Sequence, residues 1–308
     1  MQNRRAFLLS ISAGVVVLSG CSSGASVTSS SSGAKPTITM GSTNFSEQLI
    51  VAELYAQALE ASGYRINRKF NLGSREIVAP ALASGQIDMY PEYLASYLTF
   101  LTKDPTQASS DPAKTYTKLQ EAVKAKNITA LQYAPAQDEN GFVVTKATAD
   151  KDKLTRISDL AALNGQLVLG GPPECPQRPF CLQGLEKVYG LKFKDFKALD
   201  TGGPLTVAAL RAGQIDVGEL FTSDAVIQAD NFVLLEDDKG LQLSDNIVPV
   251  VRTAIVSQAP SDFATIVNGV SSKLTTPDLT GLNKQVGLDK KDPKDVAGPW
   301  LKAQGLVK

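Results

Sequence analysis

Apolar and polar residues alternate along this chain with two periods, one typical of buried strands and one typical of helices. Residues 35–41 form the first predicted strand, and residues 46–63 form a predicted helix that a glycine closes. A second strand at 65–71 precedes a helix that ends at Gly85, and a further helix is predicted at 90–102. Further strands are predicted at 128–133, 142–145, 166–170, 215–218, 233–235 and within 247–256. Because helices and strands alternate, the sequence predicts an α/β fold built as a doubly wound pair of lobes.

One stretch of the chain occurs twice. Residues 81–93 and residues 209–221 share the pattern Ala-Leu-x-x-Gly-Gln-Ile-Asp. Each copy has the end of a helix, a glycine that tolerates positive φ and a short buried strand. Ligands of open α/β sheets bind beyond the carboxyl ends of the strands, so we expect one cleft to receive residues from both copies. These residues are Tyr90, Pro91, Glu92, Tyr93, Phe221, Thr222 and Asp224. The alternative is that the repeat arose by chance, or that it reflects a helix–strand connection common to many α/β proteins.

The amino-terminal segment has the features of an export signal rather than of a folded element. Arg4 and Arg5 precede an apolar run that is too short to anchor a mature protein, and residues 1–20 are therefore predicted to be a signal peptide. Leu18-Ser19-Gly20-Cys21 has the form of a bacterial lipobox, which predicts that Cys21 becomes the acylated amino terminus. An ordinary secretory signal with an incidental cysteine is the alternative, and the paired arginines weakly favour a twin-arginine route.

The residues after this signal divide into a tether and two lobes. Residues 21–36 are rich in Ser and Gly and predict a flexible tether next to the lipid. Residues 37–142 and 247–308 are predicted to form lobe 1, and residues 143–246 to form lobe 2, so that the chain crosses between the lobes twice.

Composition narrows the function. Lys+Arg and Asp+Glu both number 31, so nothing predicts nucleic acid as a partner. The chain has no histidine, which removes the commonest general base and the commonest transition-metal ligand. With no Gly-x-Ser-x-Gly motif either, we expect no enzyme activity, no metal site and no cofactor.

Two cysteines remain once Cys21 is assigned to lipid. Cys175 and Cys181 flank five residues, and an exported chain folds in an oxidising compartment. A disulfide that closes this small loop is predicted, and two free buried thiols are the alternative. Redox catalysis is disfavoured because the spacing is not that of a C-x-x-C motif.

Six motifs in sequence order carry a family resemblance. They are residues 41–48, 73–76, 85–93, 171–179, 221–224 and 235–252. The motifs resemble those of the ProX/OpuC group, the substrate-binding proteins of ABC transporters that take up glycine betaine, proline betaine, carnitine or choline. The resemblance extends from about Ile38 to the carboxyl terminus. It implies a two-lobe type II periplasmic-binding-protein fold with the ligand cleft between the lobes.

The resemblance also implies a cage of tyrosine rings around a quaternary ammonium group, because the face of an aromatic ring attracts a cation. Of the four cage positions, this chain keeps Tyr93, has Phe142 and Phe221 at two others, and has Asp245 at the fourth. Phenylalanine attracts a cation less strongly than tyrosine does. Asp245 would offset that loss by charge pairing, which would favour a net cation such as choline.

Three polar positions complete the implied site. Thr43 and Ser96 match polar positions of the family, and Arg178 matches an arginine that grips the carboxylate of a ligand. Each residue also has a structural alternative: the two phenylalanines as core residues, Arg178 as an exposed loop residue, and Asp245 as a turn residue. The alternative ligand is a neutral polyol or sugar-like solute, whose hydroxyl groups would hydrogen-bond to Asp245.

Taken as implied by the resemblance, the partners are a small-molecule solute, a membrane permease and its ATPase. The protein is expected to act as a monomer that a lipid anchor holds at the extracytoplasmic face of the cell membrane. A lipoprotein outside transport, with a degraded cleft, is the remaining alternative.

Overall fold

The computed structural model describes residues 35–308. The predicted signal peptide at 1–20, the lipidation site Cys21 and nearly all of the tether at 21–36 lie outside the described residues and stay predictions. Within the described part of the chain, no helix is both long enough and apolar enough to cross a membrane.

Lobe 1 is organised around a five-stranded mixed sheet. Its strands are β1 (Thr37–Gly41), β2 (Arg65–Lys69), β3 (Met89–Tyr93), β4 (Ile128–Ala130) and β10 (Ile247–Arg252). They lie in the order β2-β1-β3-β10-β4, with β1 parallel to β2 and β3, and β10 antiparallel to β3 and β4. The returning strand β10 therefore ties the carboxyl-terminal part of the chain to the amino-terminal part.

Eight helices surround this sheet. They are α1 (Ser46–Ala61), α2 (Arg75–Ser84), α3 (Leu94–Thr102), α4 (Pro112–Lys124), α9 (Thr253–Gln258), α10 (Asp262–Lys273), α11 (Thr276–Gly287) and α12 (Pro293–Ala303). Helix α1 packs against α10, α11 and α12, and its apolar residues are almost completely buried. Pro277 and Pro293 lie in the first turns of α11 and α12, where proline fits because the first N–H groups have no partner in the helix.

Lobe 2 contains the second five-stranded sheet. Its strands are β5 (Asn140–Thr145), β6 (Val168–Gly171), β7 (Asp195–Ala198), β8 (Val217–Phe221) and β9 (Phe232–Leu234), in the order β7-β6-β8-β5-β9. Its helices are α5 (Lys146–Asp152), α6 (Leu182–Tyr189), α7 (Pro204–Arg211) and α8 (Val226–Ala229). The parallel pairs β6–β7 and β6–β8 and the antiparallel strand β5 repeat the arrangement of β1–β2, β1–β3 and β10 in lobe 1.

The chain crosses between the sheets twice, between β4 and β5 and between β9 and β10. The first crossing comes slightly earlier than the expected boundary at 142/143. Asn140 is already paired with Phe221, and Phe142 with Glu219, so residues 140–142 belong to the sheet of lobe 2.

The sequence repeat corresponds to equivalent parts of the two lobes. Strands β3 and β8 follow α2 and α7, and Gly85 and Gly213 adopt φ values of 79° and 64° where the chain leaves each helix. The aspartates of the repeat also make the same contact: Asp88 accepts a backbone N–H of β1 at 2.9 Å, and Asp216 accepts one of β6 at 2.8 Å. The repeated aspartate therefore binds the backbone of the neighbouring strand in both lobes, at Thr39 in β1 and at Val168 in β6.

The Tyr-Pro-Glu-Tyr motif differs from its predicted structure. The pattern predicted the start of a helix at Tyr90, but residues 89–93 form strand β3, and the helix α3 begins at Leu94. The motif pairs antiparallel with β10, and Pro91 lies opposite Pro249 in a register where both lack an N–H. Tertiary pairing with a strand more than 150 residues away along the sequence outweighs the helical spacing of the two tyrosines.

Candidate ligand-binding cleft

A cleft of about 360 Å³ lies between the lobes and takes its walls from both of them. Phe45 and Tyr93 contribute from lobe 1, and Arg178 and Phe221 from lobe 2. Tyr93 and Phe221 are the last residues of β3 and β8, so the ends of the two repeated strands meet at this cleft. The volume is in the range of small-molecule sites.

Three aromatic rings form a row across the cleft. The ring of Phe45 lies 5.0 Å from that of Phe221 and 6.3 Å from that of Tyr93, with interplanar angles of 24° and 23°. Phe45 directly precedes α1, and motif comparison alone did not single it out as a site residue. The available signal was its place between β1 and α1, beyond the carboxyl end of a central strand.

Hydrogen bonds join the lobes beside this row. The hydroxyl of Ser223, in lobe 2, donates to Glu47 Oε2 at 2.7 Å, and Asn283 Nδ2 of α11 donates to the same oxygen at 2.7 Å. The hydroxyl of Tyr93 donates to Glu47 Oε1 at 2.6 Å. Glu47 thus couples the position of a cleft ring to a contact between the lobes.

Two buried carboxyl groups lie close together at this contact. Burial raises the pKa of Glu47, against the opposing effect of the hydrogen bonds from Tyr93, Asn283 and Ser223. Burial, together with the charges of Glu47 and Asp224, raises the pKa of Asp138 well above its ordinary value. Asp138 Oδ1 accepts the N–H of Ser223 at 2.9 Å, whereas its Oδ2 has no hydrogen-bond partner and the residue lines the cleft.

Arg178 reaches the cleft from a loop that a disulfide closes. A disulfide joins Cys175 and Cys181 in the structure, and Gln177, Arg178 and Phe180 between them line the cleft. Arg178 Nη2 donates to Glu76 Oε2 of lobe 1 at 3.1 Å, and its Nε is buried without a partner. The loop therefore places at the cleft an arginine that has one unpaired donor.

A second arginine of the cleft is fully engaged within the protein. Arg75 Nε and Nη2 each lie 2.8 Å from the carboxylate of Glu92, and the hydroxyl of Tyr90 donates to the same carboxylate. Tyr90 is completely buried, whereas Tyr93, the tyrosine of the motif that the sequence assigned to the ligand cage, lines the cleft. Of the residues at the end of β3, Glu92 and Tyr93 line the cleft.

Asp245 lines the cleft, but its oxygens are used to cap α3. Asp245 Oδ1 accepts the N–H of Ser96 at 2.8 Å, and Oδ2 accepts its hydroxyl at 2.7 Å. The N-cap residue of α3 is Tyr93, whose side chain makes no capping bond. The neighbours of Asp245 bind the two preceding N–H groups of the helix, from Leu94 to Asn246 O and from Ala95 to Ser244 O.

Of the seven residues that the sequence assigned to ligand binding, six line the cleft. These are Thr43, Tyr93, Ser96, Arg178, Phe221 and Asp245. The assignment of Phe142 is not supported: it lies inside β5, is 1% exposed and packs in the apolar core. Asn140, two residues earlier at the strand end, lines the cleft instead.

Several buried polar atoms at the cleft have no hydrogen-bond partner within the protein. Among the described residues, the cleft-lining ones with such an atom are Thr43 (Oγ1), Thr99 (Oγ1), Asp138 (Oδ2) and Arg178 (Nε). Unpaired buried polar groups are costly, so a ligand or water that satisfies them gains free energy. The cleft thus combines aromatic faces with unpaired donors and acceptors, which suits binding of a small polar organic molecule.

Comparison with known proteins gives the same picture. Residues 36–303 match the family described as the substrate binding domain of the ABC-type glycine betaine transport system. The glycine betaine-binding protein YehZ of Escherichia coli strain K12 is 27% identical over 280 residues, covering 88% of this chain and 92% of that protein. The ergothioneine transport permease/ergothioneine binding protein EgtU of Helicobacter pylori strain G27 is 28% identical over 262 residues, which are 85% of this chain and 46% of that protein.

A solved structure agrees at the level of the fold. The crystal structure of a glycine betaine/carnitine/choline ABC transporter protein superimposes with a TM-score of 0.69 at 26% identity, covering 87% of this chain and 99% of the other. The two-lobe type II periplasmic-binding-protein fold predicted from the sequence is confirmed. The expectation that the protein is not an enzyme is also confirmed, because the matched family and the relatives are binding components of transporters.

Proposed function

Because the chain belongs to the family of substrate-binding domains of ABC-type glycine betaine transport systems, we propose that it delivers a quaternary ammonium solute to such a transporter. Glycine betaine, choline and carnitine are the candidate ligands, and the cleft between the lobes is the binding site.

The observation that carries this proposal is the row of Tyr93, Phe45 and Phe221 next to buried carboxyl groups. A quaternary ammonium group donates no hydrogen bonds, so ring faces and negative charge are the features that recognise it. Asp138 lines the cleft and has a carboxyl oxygen without a partner, and a bound cation would favour the ionised form of this group, whose pKa is raised in the ligand-free protein. The carboxylate or hydroxyl end of the ligand then meets Arg178 Nε and the hydroxyls of Thr43 and Thr99.

Binding couples to lobe closure because the rings come from both lobes. A ligand that contacts Phe45 and Phe221 together stabilises the arrangement in which Ser223 of lobe 2 reaches Glu47 of lobe 1. The closed protein is the form that docks on the permease, whose ATPase drives import.

The cellular setting belongs to the same proposal. Lipidation of Cys21 would hold the folded lobes, as a monomer, at the extracytoplasmic face of the membrane, through the tether at 21–36. The disulfide between Cys175 and Cys181 suits that oxidising location. Substituting Cys21→Ser is expected to release the protein from the membrane fraction, whereas unchanged membrane association would contradict the anchor.

The direct test is a ligand panel measured by thermal unfolding and calorimetry. A ligand at 100 times its Kd stabilises the folded state by about 2.7 kcal/mol, which shifts the unfolding midpoint visibly. We expect a shift with at least one quaternary amine. Phe45→Leu is expected to weaken that binding by roughly 0.5–2 kcal/mol because it removes the central ring face, while Phe196→Leu on β7 serves as the matched control.

Polyols and ergothioneine complete the panel. Polyols are included because the unpaired hydroxyls of Thr43 and Thr99 suit hydroxylated solutes, and ergothioneine because one relative is named for it. A shift with polyols alone would keep the transport role and change the solute. No shift with any compound would favour a lipoprotein outside transport.

A further inference from the structure

The three cations that line the cleft differ in how they are paired. Arg75 forms a double hydrogen bond with Glu92 in its own lobe, and the ammonium group of Lys103 lies 4.1 Å above the ring of Phe100. Arg178 is the cation whose partner, Glu76, comes from the opposite lobe. A ligand that enters between the lobes therefore meets the pair formed by Arg178 and Glu76.

Glu76 occupies the position that suits the carboxylate of a ligand. Its two oxygens lie 3.1 and 3.4 Å from Arg178 Nη2, while Arg178 Nε stays buried without a partner. Burial acts to raise the pKa of Glu76, but Arg178 and Ser74 outweigh it and hold that pKa at about 2. Glu76 therefore keeps its negative charge throughout the physiological range.

This negative charge affects possible ligands unequally. Glycine betaine carries a carboxylate, which must share Arg178 with Glu76 or displace it, and like charges in contact repel. Choline carries a hydroxyl instead, which can accept from Arg178 Nε or donate to Glu76 without repulsion. Specificity arises from such repulsive elements as well as from attractive ones.

We propose that Glu76 sets the ligand selectivity of the cleft, by disfavouring quaternary amines that carry a carboxylate relative to those that do not. This inference rests on the proposed function. It assigns the choice between zwitterionic and cationic ligands to a residue of α2 outside the aromatic row.

The test compares Glu76→Gln with the unsubstituted full chain by calorimetric titration of choline and of glycine betaine. Glutamine keeps the size of the side chain and removes its charge. The ratio of the two Kd values is the readout, because any effect of the substitution on lobe closure scales both affinities alike. We expect the preference for choline over glycine betaine to fall at least tenfold, mainly through tighter binding of glycine betaine.

Glu121→Gln, an exposed substitution on α4 away from the cleft, is the control and should leave the ratio unchanged. Glu76→Ala should change the ratio in the same direction as Glu76→Gln. A ratio that stays constant in both variants, with both ligands bound, overturns the role of Glu76 and leaves the proposed function intact. If the unsubstituted chain binds neither compound nor carnitine, the proposed function fails and this inference fails with it.

Discussion

The carboxylate of Asp245 accepts both polar donors of Ser96, the backbone N–H at 2.8 Å and the hydroxyl at 2.7 Å. The segment before β10 therefore caps α3 from outside the helix, where Tyr93 at the N-cap supplies no side-chain acceptor. The same helix start places the ring of Tyr93 at the cleft. Asp245, which the family resemblance assigned to the ligand cage, thus acts on the cage through the backbone: it stabilises the helix start next to Tyr93.

We expect Asp245→Ala to lower the free energy of unfolding by roughly 1–2 kcal/mol, the usual cost of a lost N-terminal cap. Asp245→Asn keeps an acceptor for the N–H and a polar contact for the hydroxyl, so it should cost less than half as much. Denaturant titration measures both. A loss of choline affinity in the Asn variant, with stability retained, would show that the negative charge of Asp245 also acts on the ligand.

Ser223 should govern lobe closure without affecting selectivity. Its hydroxyl donates to Glu47 and accepts from Asn283, both in lobe 1, so Ser223→Ala removes two interlobe hydrogen bonds. Each of these hydrogen bonds is worth roughly 0.5–1.5 kcal/mol. We expect all ligands to bind about tenfold more weakly, with their order of preference unchanged. The variant protein should also show a larger radius of gyration in scattering experiments. Ser272→Ala, on the exposed face of α10, is the control, and a variant that changes selectivity instead would place Ser223 in contact with the ligand.

The stability of the protein should fall as pH rises from mildly acidic values to neutrality. Glu219 is 2% exposed, and burial raises its pKa to about 7 although Arg178 acts to lower it. A raised folded-state pKa means that protonated Glu219 favours folding below its ordinary pKa, and that this stability is lost as pH rises through about 7. The pKa shift of Glu219 can change the free energy of unfolding by roughly 3 kcal/mol at most.

Unfolding measured at pH 5.5 and at pH 8 should therefore show the larger free energy at pH 5.5. Glu219→Gln should reduce the difference, since the amide does not titrate. Part of the difference should remain, because burial also raises the pKa of Asp138 and brings that of Asp245 to about 6. Equal pH dependence in the two proteins would mean that Glu219 is ionised in the folded state.

Removing the disulfide should weaken ligand binding, although its small loop predicts only a modest loss of stability. Replacing Cys175 and Cys181 with serine opens a short loop, which costs roughly 2 kcal/mol by the loop-entropy relation. The same loop positions Arg178 and Phe180 at the cleft. We expect weaker binding of carboxylate ligands in the double variant, measured by calorimetry well below its unfolding midpoint. Unchanged binding would show that neighbouring contacts, such as Asn140 Nδ2 to Phe180 O at 2.9 Å, hold the loop without the disulfide.

The sequence alone determined the features that depend on near neighbours in the chain. The repeated Gly-Gln-Ile-Asp pattern predicted equivalent helix–strand units, and the structure places Tyr93 and Phe221 at the ends of the equivalent strands β3 and β8. The glycines that end helices and the apolar periodicity depend on a few adjacent residues, so they can be recognised from the sequence alone.

The tertiary structure decided which side chains face the cleft and what they do there. The sequence left Phe142 open between the cage and the core, and the structure places it in the core; Asp245 caps a helix, and Glu76 meets Arg178 across the cleft. The strand identity of the Tyr-Pro-Glu-Tyr motif likewise depends on β10, which lies far along the chain. Such contacts join residues distant in sequence, and their geometry is fixed only when the two lobes pack, because local periodicity carries no information about a partner elsewhere in the chain.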